Sequence, residues 1–508
     1  MDERDRLILL ALAFVALSVP IWYAIPFVDE NVFIYIGQHM SLSQMPYRDF
    51  SDNKGPVVYF FYAALNAVFG LDSLGWRLAM LGVLLLGGWA FYGILRTKAG
   101  PDGALLGTGL FWLLMLCGPD GPNGLGLVAF RATETIGLAL LLASLRLLMV
   151  RPAEGREKAG GRLAEPARSW ASGLLFSLAL LTNVLCWPAI VAWGWLHWRK
   201  EIALNRHFLA AAALPLAAFA LVLLATGSWM PYWVWSIAYN FNHGLDYATP
   251  SGGLGEMMFY LVFNLKHDVL LALVLLPWLW KPLRLYRALT LAFALLSLAP
   301  EIRVFYQGLS IDHYEIMTVP AYALGFVAAY AGSRGFDRKV VLGLLVGGAL
   351  ALAAYFTYWN VAYASLYGPW QQMQSRVAAE PALRGNPHVW VPEIDMGEVY
   401  LFSNSTYPGR YFFTFPIFNQ IPWIKQDLTD EFLRLDGQGQ IQDIVITAPL
   451  WQQKTAPACW SESRYVPKPV MDAILDHYDC RPMGYADPAG QNLTLCQRRP
   501  LGVGGNAS

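Results

Sequence analysis

The strongest constraint in this sequence is a series of apolar runs separated by short polar segments. Hydrophobic residues make up 56% of the 508 residues and charged residues only 14%, which excludes an ordinary soluble globular protein. We therefore predict a polytopic membrane protein whose first helix is not cleaved. The predicted spans cover residues 7–27, 75–95, 103–118, 134–150, 169–185, 187–198, 208–226, 258–280, 288–300, 314–332 and 340–359.

The apolar run 56–70 is left out of the spans because it is too short. About 15 helical residues measure about 22 Å, whereas the hydrocarbon core is about 30 Å thick. We predict that this run lies flat at the membrane interface. The positive-inside rule then gives one orientation throughout, with 18 Lys and Arg residues in the cytoplasmic segments and five in the opposite loops. Residues 28–74 and 360–508 are predicted to lie outside the cytoplasm.

The segment 169–198 leaves two alternatives open, because Asn183 and Pro188 interrupt a long apolar stretch. It forms either two short helices that meet near the outer face or one kinked helix. We predict the two-helix hairpin, since a single helix would reverse the topology of every later loop and remove the charge asymmetry.

The sequence changes character near residue 360, which predicts a membrane module 1–359 followed by a small α/β domain 360–508. Alternating apolar patterns predict strands at 389–391, 398–402, 410–415, 443–447 and 492–496, and helical spacing predicts helices at 428–436 and 469–478. Cys480 and Cys496 flank the last hairpin-like turn. They either pair in an oxidising compartment or remain, with Cys459, as three buried thiols.

Polar residues gather in four places on the predicted outer side of the membrane, and a chain this apolar usually keeps such residues for a function. The net charge of zero gives no indication of a nucleic-acid partner. The first loop is the richest in charge. The four groups are Asp29 to Lys54; Arg131 with Glu134; His243, Asp246, Glu256 and Lys266 to Asp268; and Arg303, Tyr306, Asp312 and His313.

The first loop resembles the first external loop of the integral-membrane C-type (GT-C) glycosyltransferases. Within them it is most similar to the branch of the lipid A aminoarabinose and protein O-mannosyl transferases. Asn53 and the inserted Gly55 depart from the pattern. The matching residues are Asp29-Glu30, Tyr35-x-Gly37, Pro46-Tyr47-Arg48-Asp49, Asn53-Lys54-x-Pro56 and Phe69-Gly70, with Arg77, Asp312-His313-Tyr314 and Tyr407-Pro-Gly-Arg410-Tyr further on.

The resemblance implies a mainly α GT-C fold and an inverting transfer of a hexosyl or pentosyl group from a polyprenyl-phosphate donor. The acceptor would be lipid A or lipopolysaccharide, a cell-envelope glycan or a protein, at the outer face of a bacterial inner membrane. The implied roles are catalysis by Asp29 and Glu30; donor-phosphate binding by Lys54, Arg131 and Arg303; and substrate binding by Tyr35, Arg48, Asp49, Asp52, His243, Lys266, Tyr306, His313, Tyr314 and Arg410.

The residues themselves meet the physical demands of this reaction. A leaving phosphate needs a cation, which Lys54 supplies, and an acceptor hydroxyl needs a carboxylate base, which Asp29 supplies. Asp49 and Asp52 do not have the Asp-x-Asp spacing of a nucleotide-sugar enzyme. No metal ligand is assigned; a divalent cation remains open as a cofactor, and His243 with Asp246 is weak evidence for one.

Simpler interpretations stand beside these. Asp29 and Glu30 can end a helix at the interface, Lys54 can be a snorkelling lysine, and His313 or Arg410 can be structural. A lipid-linked sugar flippase or transporter and an O-antigen-type ligase are the alternative functions. No internal repeat of the transporter type is found, which favours the glycosyltransferase.

Overall fold

The computed structural model describes most of the two predicted modules. The described residues are 2–117, 133–149, 165–239, 281–297, 314–332 and 367–500, with gaps at 20–21, 23–27, 42, 71–72, 393–397, 414–420, 448–465 and 487–491, and isolated positions between 339 and 354. The α-helices are Glu3–Ser18, Val28–His39, Pro56–Phe69, Ser73–Cys117, Thr133–Met149, Glu165–Leu180, Ala189–Trp198, Arg206–Ala225, Trp229–Tyr232, Arg287–Leu296, Val319–Gly332, Tyr367–Ala379, Glu398–Ser403, Pro422–Gly437 and Lys468–His477. A π-helix spans Trp233–Ala238, and 3-10 segments span Val184–Cys186, Lys281–Tyr286 and Tyr314–Thr318.

Several described helices overlap predicted spans, and the number of spans remains a prediction. In the described part of the chain, Leu74–Leu116 and Arg206–Ala225 are long and apolar enough to cross a membrane, and Pro56–Phe69 is a shorter apolar helix. The predicted spans 258–280 and 340–359 lie outside the described residues, apart from isolated helical positions.

The segment Ser73–Cys117 is two antiparallel helices joined at Gly100. Gly100 has a φ of 68°, a left-handed value that glycine adopts without steric cost, and Pro101 follows it. Beyond this turn the chain runs back along itself, since the indole Nε1 of Trp112 donates to the carbonyl of Leu84 at 3.0 Å. The two predicted spans 75–95 and 103–118 are therefore separate helices.

The segment around Asn183 also reverses direction. The helix Glu165–Leu180 ends before Asn183. After the helix Ala189–Trp198 the chain is back at the end of the bundle where the helix Glu165–Leu180 begins. There, Asn205 donates from Nδ2 to Oγ of Ser169 at 2.9 Å, in the first turns of the helix Glu165–Leu180. A single kinked helix would carry residue 205 to the far end of the bundle. The hairpin prediction agrees with this geometry.

Charged pairs mark the end of the bundle at which the chain starts, which we call the N-terminal end. Arg6 contacts Asp102 at 2.8 Å, and Lys98 contacts Glu201 at 2.7 Å. The opposite end, which we call the site end, holds the turn at Asn183 and the first loop. Apolar side chains such as Phe14, stacked on Trp112 with ring centroids 5.1 Å apart, fill the space between the two ends.

The C-terminal part folds around a four-stranded sheet. The strands are β1 Val389–Trp390, β2 Asp443–Thr447, β3 Tyr478–Ala486 and β4 Asn492–Arg498. Their order is β1-β2-β4-β3, with β1 parallel to β2 and the other pairs antiparallel. Cys480 and Cys496 are directly opposed on β3 and β4 and form a disulfide, whereas Cys186 is a buried free thiol. Cys459 lies outside the described residues.

Two of the strand predictions are wrong, and one strand was missed. Residues 398–402 belong to the helix Glu398–Ser403, whose six side chains are all buried. The alternation of apolar and polar residues therefore did not correspond to one buried and one solvent-exposed face of a strand. Residues 410–413 form no strand, while 414–415 lie outside the described residues. The sequence does not predict strand β3, because Pro482 and Gly484 interrupt the alternation of apolar and polar residues. Its pairing with β4 is irregular between Pro482 and Ala486.

The first loop and the C-terminal part share one apolar core at the site end. The ring of Tyr35 stacks on Phe412 with centroids 4.4 Å apart, and the Tyr35 hydroxyl accepts from the backbone N–H of Tyr407. Asn31 donates from Nδ2 to a Glu398 carboxylate oxygen at 3.0 Å. The described residues of the first loop and of the C-terminal part therefore lie at the same end of the bundle, and their cellular compartment remains a prediction.

Candidate active site

The loop that follows helix Val28–His39 is held in shape by two of its own predicted site residues. Tyr47 adopts a φ of 71°, and a bridge between Pro46 and Phe50 closes the turn. Asp49 accepts the backbone N–H of Met45 at 2.7 Å and the Nη2 of Arg48 at 2.7 Å. Side-chain oxygens of Asp often satisfy turn backbones in this way.

Arg48 extends the same network to the helical bundle. Its Nη1 donates to the carbonyl of Thr226 at 2.7 Å, beyond the end of helix Arg206–Ala225, and its Nη2 donates to the carbonyl of Ser43 at 2.6 Å. The structure thus places Arg48 and Asp49 where they shape the floor of the site. Their predicted contact with substrate remains a prediction.

Glu30 and Arg77 form a buried ion pair behind the loop. Arg77 donates from Nη1 and Nη2 to the two carboxylate oxygens of Glu30 at 2.6 and 2.7 Å, and the Tyr62 hydroxyl donates to the same carboxylate at 3.1 Å. Both charged side chains have 0% exposure. A fork-to-fork pair of this kind fixes both groups in position. The helices Val28–His39, Pro56–Phe69 and Ser73–Cys117 are joined at this point.

Lys54 points into a second buried cluster, around Glu134. The Lys54 ammonium lies 3.4 Å from Oε1 of Glu134, and the two side chains are 9% and 1% exposed. Asn183 donates from Nδ2 to the same Oε1 at 2.6 Å, while the Thr133 hydroxyl donates to Oε2 at 3.0 Å. The helix break at Asn183 therefore places the Asn183 side-chain amide against the Glu134 carboxylate that faces Lys54.

Gly55 fixes the backbone next to Lys54. Its N–H donates to the carbonyl of Thr182 at 3.0 Å, and the N–H of Val57 donates to the carbonyl of Leu181 at 3.2 Å. A Cβ at position 55 would lie 2.0 Å from the Leu181 carbonyl oxygen. The glycine that departs from the family pattern is thus required by a close approach of two backbones.

Asp52 lies in the same cluster and is 3% exposed. One carboxylate oxygen accepts from the Asn53 N–H at 2.7 Å and the other from the Tyr59 hydroxyl at 2.9 Å. Burial raises the pKa of Asp52 to about 6, while Lys54 lowers it and Asp29 raises it further by charge. Asp52 thus lies within electrostatic reach of both Lys54 and Asp29.

Asp29 differs from its neighbour in exposure. It lies in the first turn of helix Val28–His39 and is partly exposed, whereas Glu30 is fully buried. Adjacent helical residues point about 100° apart, which explains why the two carboxylates differ in burial.

Tyr35 and Arg410 lie at the junction with the C-terminal part. Tyr35 is buried under Phe412, as described above. The Arg410 guanidinium pairs with the carboxylate of Asp427, and the Arg410 carbonyl accepts from the backbone N–H of Ser51 at 3.2 Å. Arg410 therefore connects the C-terminal part to the first loop at Ser51, the residue before Asp52. Its backbone and its guanidinium both have structural partners.

The other predicted residues cannot be placed. Six of them lie outside the described residues, and for Tyr314 the structure describes the backbone, in the 3-10 segment Tyr314–Thr318. Within the described ranges, no group of three or more His, Cys, Asp or Glu residues is arranged to hold a metal ion. The six residues are Arg131, His243, Lys266, Arg303, Tyr306 and His313.

The sequence patterns include Glu134, Asn183 and Arg77 but predict no role for them in the site. Each carried one detectable signal, a polar side chain within or beside a predicted span. Their partners were not detectable, because the hydrogen bonds of Asn183 and Arg77 join residues 49 and 47 positions apart.

Solved structures similar to this chain share its architecture. ArnT from Cupriavidus metallidurans bound to undecaprenyl phosphate has a TM-score of 0.54 at 14% identity, covering 95% of this chain and 97% of ArnT. An oligosaccharyltransferase from Archaeoglobus fulgidus, tethered with an acceptor peptide containing the NVT sequon, has a TM-score of 0.51 at 12% identity, covering 96% and 73%. The chain has the GT-C fold.

The GT-C fold confirms the resemblance drawn from the first loop. At these identities the likeness concerns the fold alone. No protein-family model matches the sequence, and no curated protein matches it.

Proposed function

We propose that this protein is an inverting glycosyltransferase that moves a sugar from a polyprenyl-phosphate carrier to an acceptor at the outer face of a bacterial inner membrane. One observation carries the proposal: a cluster of Asp29, Asp52, Lys54 and Glu134 lies at one end of an apolar bundle with the GT-C fold. A donor with a lipid tail and a phosphate head suits such a site, since the tail stays in lipid while the head meets charge.

Lys54 is the proposed contact of the donor phosphate. Its ammonium is held at the site end by the backbone contacts of Gly55 and by Glu134. An ammonium in a largely desolvated site attracts phosphate more strongly than an exposed one, because the effective dielectric constant is lower. The bound undecaprenyl phosphate of ArnT supports a polyprenyl-phosphate ligand for this fold.

Asp29 is the proposed base. An inverting displacement needs one carboxylate to take the acceptor proton as the new carbon–oxygen bond forms, and the phosphate leaves without an acid because it is already anionic. Asp29 is partly exposed and can meet an acceptor. Glu30, in contrast, uses both carboxylate oxygens to hold Arg77. We therefore assign Glu30 a structural role in this mechanism.

The proposed acceptor is a lipid, glycan or protein of the cell envelope, and the C-terminal part would lie in the periplasm beside it. The contact of Ser51 with Arg410 supports this arrangement, because it joins the C-terminal part to the loop that carries Asp52 and Lys54. Comparative mass spectrometry of envelope glycolipids and glycans, with and without the gene, would identify the acceptor.

The test is release of free polyprenyl phosphate by the purified protein when it is given a polyprenyl-phosphate sugar and an acceptor extract. We expect Asp29→Asn to bind donor normally and to lose about 10²–10⁴-fold in single-turnover rate. The matched control is Asp102→Asn, at the N-terminal end, where an exposed pair with Arg6 contributes little. No release by the wild type would refute the function, and normal chemistry in Asp29→Asn would refute the base.

A further inference from the structure

The buried pair between Lys54 and Glu134 raises a question for any phosphate ligand of Lys54. The Lys54 side chain is 9% exposed and already faces the Glu134 carboxylate at 3.4 Å. A phosphate that approaches the ammonium must share it with this carboxylate. Like charges drawn to one cation repel each other, so Glu134 weakens the binding of phosphate at Lys54.

Glu134 is held in place independently of Lys54. Its Oε1 accepts from Asn183 Nδ2 at 2.6 Å and its Oε2 from the Thr133 hydroxyl at 3.0 Å. Asn183 Nδ2 also donates to the Thr133 hydroxyl oxygen at 3.2 Å, which closes the network. Glu134 can therefore stay in place while Lys54, on a flexible stem, turns toward another anion.

The proposed reaction changes the charge of the group that Lys54 holds. The donor is a phosphodiester with one negative charge. Transfer breaks its sugar–oxygen bond, and the product is a phosphomonoester whose second ionisation has a pKa near 6, so at pH 7 it carries about −1.5 to −2. A buried lysine with no competing anion would consequently bind the product more tightly than the donor, and the product would be slow to leave.

From this geometry we propose, resting on the proposed function, that Glu134 is a counter-ion that shares Lys54 with the substrate phosphate and thereby promotes release of the polyprenyl phosphate product. Glu134 is a positioning residue, because it acts through Lys54. Between turnovers it neutralises Lys54, and after transfer it competes with the product for the same ammonium.

The experiment measures product affinity and turnover in Glu134→Gln, which keeps the size and the hydrogen-bonding oxygen of the side chain but removes its charge. We expect the mutant to bind undecaprenyl phosphate about 10- to 100-fold more tightly, the range of a typical coupling between two charged ligands. The steady-state rate should fall more than the single-turnover rate, because release of the product becomes the slow step. Multiple turnovers should show a burst of one product per enzyme followed by a slow steady rate.

Glu134→Asp provides the second variant. It keeps the charge but shortens the side chain by one methylene, so its product affinity should lie between those of wild type and Glu134→Gln. If one variant does not fold, the product affinity of the other still tests whether Glu134 competes with the product for Lys54. A purely structural pair predicts the opposite pattern, in which both variants bind product more weakly and lose single-turnover rate because Lys54 is misplaced.

The outcomes separate the two levels of the proposal. A wild type that neither binds undecaprenyl phosphate nor transfers sugar refutes the proposed function. An active wild type, with product affinity unchanged or weakened in the folded variants, overturns the role of Glu134 and leaves the function intact. Loss of the Glu134→Gln effect when Lys54→Ala is added to it would show that Glu134 acts through Lys54; an effect that persists there would contradict this route.

Discussion

Replacing Glu30 by Gln should unfold this protein far more readily, although the substitution changes only one oxygen to an amide nitrogen. In the wild type the Glu30 carboxylate accepts two bonds from Arg77, at 2.6 and 2.7 Å, and one from Tyr62. Neither Glu30 nor Arg77 is accessible to solvent. After the substitution Arg77 keeps its charge and its burial but loses the carboxylate that balances it.

The expected magnitude follows from this burial. Removing one partner of a buried pair costs about 3–5 kcal/mol, because the remaining charge is left uncompensated in a region of low dielectric constant. This is a large part of the about 5–15 kcal/mol that stabilises a typical native protein. The effect should therefore appear as a much lower melting temperature before any effect on chemistry can be measured.

Thermal unfolding in detergent micelles is the assay, with the neighbouring Asp29→Asn as the matched control. Asp29→Asn should melt close to wild type and lose turnover, whereas Glu30→Gln should lose stability. A double substitution of Glu30 and Arg77 by Met should recover much of the loss, since no charge is then left buried. A Glu30→Gln protein that melts like wild type and transfers no sugar would refute the structural role and make Glu30 the better candidate for the base.

Three further predictions concern the same loop and its orientation. Gly55→Ala should abolish transfer and lower the melting temperature, because its Cβ would lie 2.0 Å from the Leu181 carbonyl oxygen; wild-type activity would contradict this close approach. Burial raises the pKa of Asp52 from 3.8 to about 6, so the wild type should lose roughly 3 kcal/mol of stability as the pH rises from well below 3.8 to above 6. Melting curves of Asp52→Asn should lack this pH dependence, and an identical dependence in both proteins would exclude Asp52 as its source. A cysteine placed at Ser43 or Gly437 should react with an impermeant thiol reagent from the periplasmic side alone; reaction only after the inner membrane is opened would reverse the topology.

The helices in the apolar runs were predictable because apolar length is a local property. The turn at Gly100 and the break at Asn183 were also detectable, since a glycine before a proline and an asparagine in an apolar run both interrupt helices. The C-terminal strands were predicted less well. At Glu398–Ser403 every side chain is buried, so the pattern of apolar residues does not distinguish a helix from a strand.

The separate roles of Asp29 and Glu30 could be predicted only in part. Their different directions follow from the helical geometry of neighbouring residues. The partner of Glu30 does not, because Arg77 lies 47 positions later and approaches only when the helices pack. The same limit applies to Lys54 and Glu134, which are 80 positions apart. Sequence predicts which residues can carry charge at the site end, while tertiary packing decides which charges neutralise one another.

The geometry of the charged pairs indicates where a ligand can enter. The Glu30 pair has two short bonds of 2.6 and 2.7 Å with no exposure, and Arg48 reaches Asp49 at 2.7 Å while also holding two backbone carbonyls. Lys54 and Glu134 are separated by 3.4 Å. Displacing a partner costs least where the bond is longest, since the strength of charge-assisted hydrogen bonds falls with distance. The first two pairs therefore keep the floor rigid, and the third is the pair at which an incoming phosphate competes on the most favourable terms.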